Sequence, residues 1–534
     1  MESTAPILVL LLAVVAAVAL LAARLQIPAA ILLVLTGVAL ALIPGLPAVE
    51  LEPAVVLLLI LPPLIYSYAV AMSWREFRFS LRPIALLAVG CVVFTTLAVA
   101  AAAHWLLELD WAVGFVLGAI VSPPDAVAPL AIARRLRMPR RIVVVLEGES
   151  LANDATALIL YRFAVAAVGA GTFSLGAAVG TFAAIVVGEL AWGLAAGWMM
   201  LHLRRWVNDP RIEITLSILT PFVAYLPPEQ LGGSGVLATV ACGLYISWNG
   251  ARLIGAATRL QGIFFWDLFI YIIEGMVFLI TGLQARTLIG RIAQFPPAEL
   301  AISAAVISVV VIAARFVWMY PATYLPRWLI PAVRRKDPAP PWQWPFAMAF
   351  TGVRGIVSLA AALAVPFATE AGGPFPARDL ILFLTFAVIL VTLVVQGLLL
   401  PTVIQALGLA HAGRHEQHQE SAAEQRARKR AIEAVIERLE QLAAERGLSE
   451  EMVTPLRVRH GDRLRRVEHR MDEDGGRTVL ADYHDEVERV LIAVERAEIN
   501  AQARSGKLTD EARRRIEREL DLREAHFTDK RNPQ

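Results

Sequence analysis

The sequence predicts an all-α polytopic membrane protein that ends in a helical tail. Three observations predict it. The 534 residues are 57% apolar and 18% charged, and the mean hydropathy of +0.60 is too high for a water-soluble globule. The charge is split: residues 1–406 hold 24 Lys+Arg and 20 Asp+Glu, whereas the far shorter 407–534 holds 25 and 27. The first part also contains thirteen apolar runs near the ~20 residues that a bilayer core requires. The expected division is therefore a transmembrane domain over 1–406 and a helical tail over 407–534. A net charge of +2 gives no sign of a nucleic-acid partner. Cys91 and Cys242 lie in apolar runs and suggest neither a disulfide framework nor a metal site.

The runs lie near 6–23, 28–43, 53–71, 83–107, 111–133, 142–167, 173–202, 213–226, 231–249, 262–285, 296–325, 343–366 and 379–406. The second and eighth are short, as expected of tilted or kinked helices. The first lacks a basic start and a small-residue cleavage site, so it reads as a retained helix. Loops after odd-numbered runs carry 18 basic residues, including Arg134, Arg135, Arg137, Arg140 and Arg141; loops after even-numbered runs carry three. The positive-inside rule then puts the N-terminus outside and the tail in the cytoplasm of a cell (inner) membrane protein. Thirteen runs split as six, one and six, which makes the second six an inverted repeat of the first, a common transporter plan. Run five contains Ser122-Pro123-Pro124-Asp125 and run twelve Thr351-Gly352-Val353-Arg354-Gly355. Both have a polar, helix-breaking centre, which predicts two broken helices.

Charge inside a span costs about 2.5–3.5 kcal/mol on insertion scales, so each such residue needs a reason. Asp125, Glu147, Glu149, Asp154, Arg162, Glu189, Asp267, Glu274, Arg315 and Arg354 are the candidates. In run five the paired prolines remove two donors and free the carbonyls around Val121 and Ser122. Such a break is tolerated in lipid only inside protein or beside water, and Asp125 sits at the start of the half-helix that follows. In run six, Ser150, Asn153 and Asp154 are three and four residues apart, which predicts one polar patch of carboxylate, hydroxyl and amide oxygens. A carboxylate that accepts a hard cation or a proton, but not both, is a minimal exchanger. In run twelve a buried Arg354 requires an acid, with Glu149 or Asp125 as partners. Glu274 and Arg315 read as structural.

At these residues the chain resembles the monovalent cation:proton antiporters of the NhaP/NHE type. Five stretches match in order over about 5–406: Leu61-Pro62-Pro63-Leu64-Ile65; Gly118 through Ser122 and Asp125 through Ala128; Glu147-Gly148-Glu149-Ser150 through Asn153-Asp154 to Arg162; Glu274 through Phe278 and Gly282; and Gly352-Val353-Arg354-Gly355 through Ser358-Leu359. The resemblance implies a homodimer in lipid, with a dimerisation domain and a six-helix core where two unwound helices cross. It implies elevator-like exchange of Na+ (or Li+, K+) for H+, no cofactor and no enzymatic step. By resemblance, Asp154 binds the ion and the proton, Ser150 is a Na+ ligand, Asn153 steadies the unwound segment and Asp125, and Glu149 pairs with Arg354. The chain departs from the family at Ser67, where many relatives have an acid, at Pro124, where they have Thr and only the carbonyl can serve, and at Ala126, where they have proline. Asn153 stands where electrogenic relatives have a second aspartate. With one titrating acid, the loaded carrier has equal charge with Na+ or H+, so one-for-one exchange is electroneutral.

In the tail, windows near 424–446, 450–471, 479–503 and 508–524 have apolar residues at helical spacing. Asp472-Glu473-Asp474-Gly475-Gly476 and Ser505-Gly506 read as breaks. His411, His415 and His418 read as an exposed linker run. The alternatives are K+/H+ exchange by the same machine and, from another class, a gated cation channel. A channel requires a continuous polar pore, whereas single acids on broken helices suit one occluded site.

Overall fold

The computed structural model describes residues 4–44, 52–170, 175–207, 209–292, 294–369, 372–472, 479–505 and 510–528. Two compact units are present, Met1–Arg414 and His415–Gln534, and the division falls within a single helix rather than at residue 407.

The first unit is built from helices, with one isolated β-bridge, Ala368–Pro374, among its described residues. Its principal helices are α1 (Thr4–Leu25), α2 (Ala29–Ala41), α3 (Val55–Ala71), α4 (Leu81–Leu107), α5a (Trp111–Val121), α5b (Val127–Arg135), α6 (Arg140–Ala170), α7 (Leu175–Arg204), α8 (Pro210–Gln230), α9 (Val236–Leu253), α10 (Ala256–Leu283), α11 (Pro297–Leu329), α12a (Gln343–Phe350), α12b (Ile356–Leu363) and α13 (Arg378–Ala406). Seven described helices are long and apolar enough to cross a membrane. α2, α3, α5a and most of α9 are shorter apolar helices. Runs five and twelve are interrupted where their sequences predict, at 122–126 and 351–355.

The helices pack as two groups. α1, α2, α3, α7, α8, α9 and α10 pack on one another, and so do α4, α5, α6, α11, α12 and α13. α2 and α10 cross at Gly37 and Gly282, where a Cβ on either residue would collide with the other helix's backbone. Pro62 and Pro63 cannot donate to the preceding turn. The chain before them, Val55–Ile60, accordingly winds as a π-helix.

Several costly charges are explained by local bonding. Glu189 is 2% exposed, yet it accepts hydrogen bonds from the N–H groups of Ser234 (2.5 Å), Gly235 (3.0 Å) and Leu237 (3.0 Å). It thus caps the positive N-terminus of α9 across a helix interface. In the connector between α11 and α12a, Asp337 accepts from Arg82, Arg141 (2.5 Å) and Arg327 (2.8 Å). One carboxylate joins α4, α6 and α11 at that end of the unit.

The second unit is described by itself. Its helices are α14 (Leu409–Arg446, mostly in this unit), α15 (Glu450–Asp472), α16 (Val479–Arg504) and α17 (Asp510–Thr528). Arg457 pairs with Glu440 and Lys429 with Glu468, a register only an antiparallel α14–α15 hairpin allows. Arg496 reaches Asp521 and Glu524, which pairs α16 with α17. The expected breaks at 473–476 and at Gly506 lie outside the described residues. His411, His415 and His418 are exposed, and no metal-binding cluster occurs among the described residues.

The Asp337 clamp generates a stability prediction. Burial pushes the Asp337 carboxyl up, but Arg141 and Arg327 outweigh it and hold the group below its usual range. A carboxyl depressed in the folded state stabilises above its unfolded pKa of ~3.9, and that contribution is lost as pH falls through the lower folded value. Asp337→Asn should therefore cost about 3 kcal/mol at neutral pH. The difference from wild type should shrink below pH ~4. Thermal unfolding of both proteins across pH 3–7 checks this.

Candidate functional site

The two breaks meet. The N–H of Asp125 donates to the carbonyl of Val353 at 2.7 Å, which ties one interrupted segment to the other. The prolines of run five leave Val121 and Ser122 carbonyls at the negative end of α5a, and Arg354 fills that position. Its Nε donates to Val121 O at 2.9 Å and its Nη2 to Ser122 O at 3.3 Å. Its Nη1 donates to Gly352 O at the end of α12a. Its backbone N–H donates to Thr392 Oγ1 at 3.0 Å. One guanidinium therefore serves the C-terminal ends of two half-helices, where a cation is favoured.

Asp125 does the converse. Its Oδ1 accepts from the N–H of Val127 at the start of α5b, at 2.9 Å. The N–H of Ile356, at the start of α12b, is a second backbone donor to the carboxylate. Gly355 lies directly against it, and a Cβ there would overlap the Asp125 carboxyl. The close approach requires glycine.

α6 presents two polar faces. On one, Glu147, Ser150, Leu151 and Asp154 line a cavity of ≈ 140 Å³ together with Pro124, Asp125, Glu274 and Gly355. No hydrogen-bond or ion-pair partner is found for the Asp154 carboxylate among the described residues. The other face is turned inward. Asn153 is fully buried and donates its Nδ2 to Pro124 O at 2.7 Å, so it steadies the break rather than lining the cavity. Pro124 O is then half used, with one lone pair left. Glu149 Oε1 and Oε2 accept from Arg315 Nη1 and Nη2 at 2.5 and 2.9 Å, with both side chains 1–2% exposed.

Two expectations are corrected here. Glu149 pairs with Arg315, not with Arg354. The guanidinium of Arg354 is claimed by backbone carbonyls freed at the breaks, and Arg315 on α11 is the cation that meets Glu149 as a bidentate fork. Ser67 is not among the residues around the cavity. Leu61, Leu64, Ile65, Tyr68 and Ala71 of α3, and Met72 just after it, line it, and at about 100° per residue Ser67 lies roughly a third of a turn off that face.

The cavity also contains residues read only as structural. Glu274 of α10 accepts a hydrogen bond from Tyr68 of α3. Both line the cavity opposite Asp125 and Asp154. The available signal was an acid in the middle of an apolar run, 262–285, that contains no cation. Arg134 pairs with Glu147 at 2.8 Å, and Arg140 with Glu76 at 2.8 Å, at the end of the cavity nearer the basic loops.

Breaking a buried pair strands a charge at about 3–5 kcal/mol. Glu149→Ala and Arg315→Ala should each lose stability on that scale, and the double variant should recover part of the loss. Glu149→Ala with Arg354→Ala should show less coupling than Glu149→Ala with Arg315→Ala. Fluorescence-detected thermostability of the six proteins measures this, and equal coupling for both cycles would contradict the assigned pair.

Comparisons with known proteins bear on the family and the fold. The family model described as "Sodium/hydrogen exchanger, transmembrane" matches residues 9–406. An uncharacterised Na(+)/H(+) exchanger of Mycobacterium tuberculosis is 36% identical over 533 residues, covering 98% of this chain and 96% of that protein. A sodium, potassium, lithium and rubidium/H(+) antiporter of Bacillus pumilus is 34% identical over 388 residues, 70% of this chain and 57% of that protein. The structure of the sodium proton antiporter MjNhaP1 of Methanocaldococcus jannaschii matches with a TM-score of 0.58 at 18% identity, covering 75% of this chain and 98% of that one, a likeness of fold. The chain belongs to the sodium/hydrogen exchanger family, and is a multi-pass membrane protein of the monovalent cation:proton antiporter class.

Proposed function

We propose that this chain exchanges Na+ (or Li+) for H+ across the cell membrane, one for one, by elevator-type alternating access. The observation that carries the reading is the unpartnered Asp154 carboxylate in a cavity between the two helix groups. An acid with no resident cation partner is free to take a proton or an alkali cation. Ser150 Oγ, the remaining lone pair of Pro124 O and water are the hard oxygen donors at hand. Asp125, engaged by two helix starts, serves as a fixed negative charge rather than a second carrier. Asp154 then holds the same total charge whether loaded with Na+ or H+, which supports electroneutral exchange.

The elevator reading rests on how the site is tied. Arg354, Asn153 and the Glu149–Arg315 pair join α5, α6, α11 and α12 to one another. Across the cavity, among the described residues, side chains of α3 and α10 face the site, with Met72 just after α3. A group so bound internally can move past the other as a body. We place the chain in the membrane as thirteen spans in a six-one-six inverted arrangement, with the N-terminus outside, the tail cytoplasmic, and two copies per transporter. The loop charge bias and the family resemblance support that placement. A K+/H+ exchanger is the second reading, because the Bacillus pumilus relative is named for potassium as well as for sodium, lithium and rubidium.

Proteoliposomes test these points. With a pH gradient imposed, Na+ or Li+ should dissipate it at lower concentration than K+ or Rb+; equal responses would favour the second reading. Asp154→Asn should abolish cation-dependent proton movement in a protein that still purifies folded, and normal exchange by that variant would remove Asp154 from the mechanism. With the potential clamped by K+ and valinomycin, Na+-driven rates should not change with voltage. An electrogenic cycle would instead draw ~2.3 kcal/mol per charge per 100 mV, and a steady transport current would show that a second acid titrates. Activity should fall at low pH, where protons displace the cation, and again at high pH, where too few protons load.

A further inference from the structure

The end of the first unit that carries the basic loops holds more positive charge than its acids neutralise. Asp337 meets three guanidiniums, so one carboxylate faces three cations. Arg327 spends its donors on Asp337 and on Thr323 O. Arg82 and Arg141 remain 29% and 27% exposed, with their charge only partly offset. Arg334, Arg335 and Lys336, on the short helix Pro331–Lys336 that leads into Asp337, make no ion pair among the described residues.

This excess charge borders an apolar surface. An open groove of ≈ 670 Å³ runs along the last turns of α11, walled by Tyr320, Pro321, Tyr324, Leu325 and Trp328, with Arg327 and Arg334 at its head. Trp328 is 76% exposed and Leu325 47%. α11 is among the helices long and apolar enough to cross a membrane, so this wall lies at the level where acyl chains meet headgroups. Aromatic and aliphatic side chains below, with the unpaired Arg334 guanidinium above, match an amphiphile with an anionic head. A soluble anion would leave the wall unused, and a neutral lipid would leave the charge unused.

We propose that the α11 groove and its basic rim form a binding site for an anionic phospholipid. The phosphate lies at the rim against Arg334, the groove cation that makes no ion pair among the described residues, and a chain lies against Tyr320, Tyr324 and Trp328. The inference is independent of which cation is exchanged. Thermal unfolding of the purified full-length protein in detergent, with phosphatidylglycerol, phosphatidylcholine, glycerol 3-phosphate or inorganic phosphate added, tests it. Phosphatidylglycerol should raise the Tm by a few degrees, and the other three should not. Arg334→Gln should raise the phosphatidylglycerol concentration for half the gain about fivefold, the ratio that corresponds to ~1 kcal/mol per basic residue at an anionic surface. Trp328→Ala should weaken the response through the wall, and both changes fall on side chains at the groove rather than in the core. Arg205→Gln, in a different basic loop, should leave the response unchanged. Equal gains from phosphatidylcholine, an unaltered response in both groove variants, or an equal loss in the Arg205 variant would overturn the site. A full gain from either soluble anion would make it a phosphate site and overturn the lipid assignment.

Discussion

Everything around the cavity depends on how two interrupted helices satisfy their loose ends without water. A broken helix exposes carbonyls at one stump and N–H groups at the other, and in hydrocarbon each such group costs several kcal/mol if left unpaired. Here one cation and one anion resolve four stumps. Arg354 gathers carbonyls from the ends of α5a and α12a, while Asp125 takes N–H groups from the beginnings of α5b and α12b. Each charge faces the helix ends of opposite partial charge. The Asp125–Val353 backbone bond then holds the two breaks in contact. Asp154 can be left unpartnered beside them because its neighbours' needs are already met.

The Glu149–Arg315 pair is the second fastening. It reaches from the inward face of α6 to α11, on the side of α6 opposite the cavity. A bidentate fork in a site this dry is directional, so it fixes the rotation of α6 about its axis as well as its position. That rotation decides which of Ser150, Asn153 and Asp154 looks into the cavity. Asn153 adds a third fastening to Pro124 O on the same inward side. α6 thus divides its polar residues by task, bonding partners on one face and solvent-accessible oxygens on the other.

Much of this was legible in the sequence. The thirteen apolar runs fall on helices, and the Pro-Pro and Gly-x-x-Gly signals mark the interruptions where they occur. Ser150 and Asp154 line the cavity together, as their spacing of four predicts, but Asn153, read as part of the same patch, turns inward to Pro124 O. The misreadings share one cause. Sequence reasoning paired Arg354 with an acid because buried guanidiniums usually find one, but backbone carbonyls compete for the same donors, and their number at a break is a tertiary fact. The partners of Arg315 and Glu274 lie on other helices and so left no mark in local spacing. Ser67 was carried over from the resemblance, and the pitch of α3 turns it aside.

The tail has a different physical character. Its hairpins are joined across exposed ion pairs such as Glu440–Arg457 and Lys429–Glu468, over small apolar contacts at Ile432, Val453 and Val467. Exposed charges are screened over a Debye length that shrinks from about 10 Å at 0.1 M salt to about 3 Å at 1 M. The buried Glu149–Arg315 fork is shielded from that screening. Ionic strength therefore acts unequally on the two units: rising salt loosens the cross-helix ties of the hairpins while leaving the fastenings of the six-helix group almost untouched.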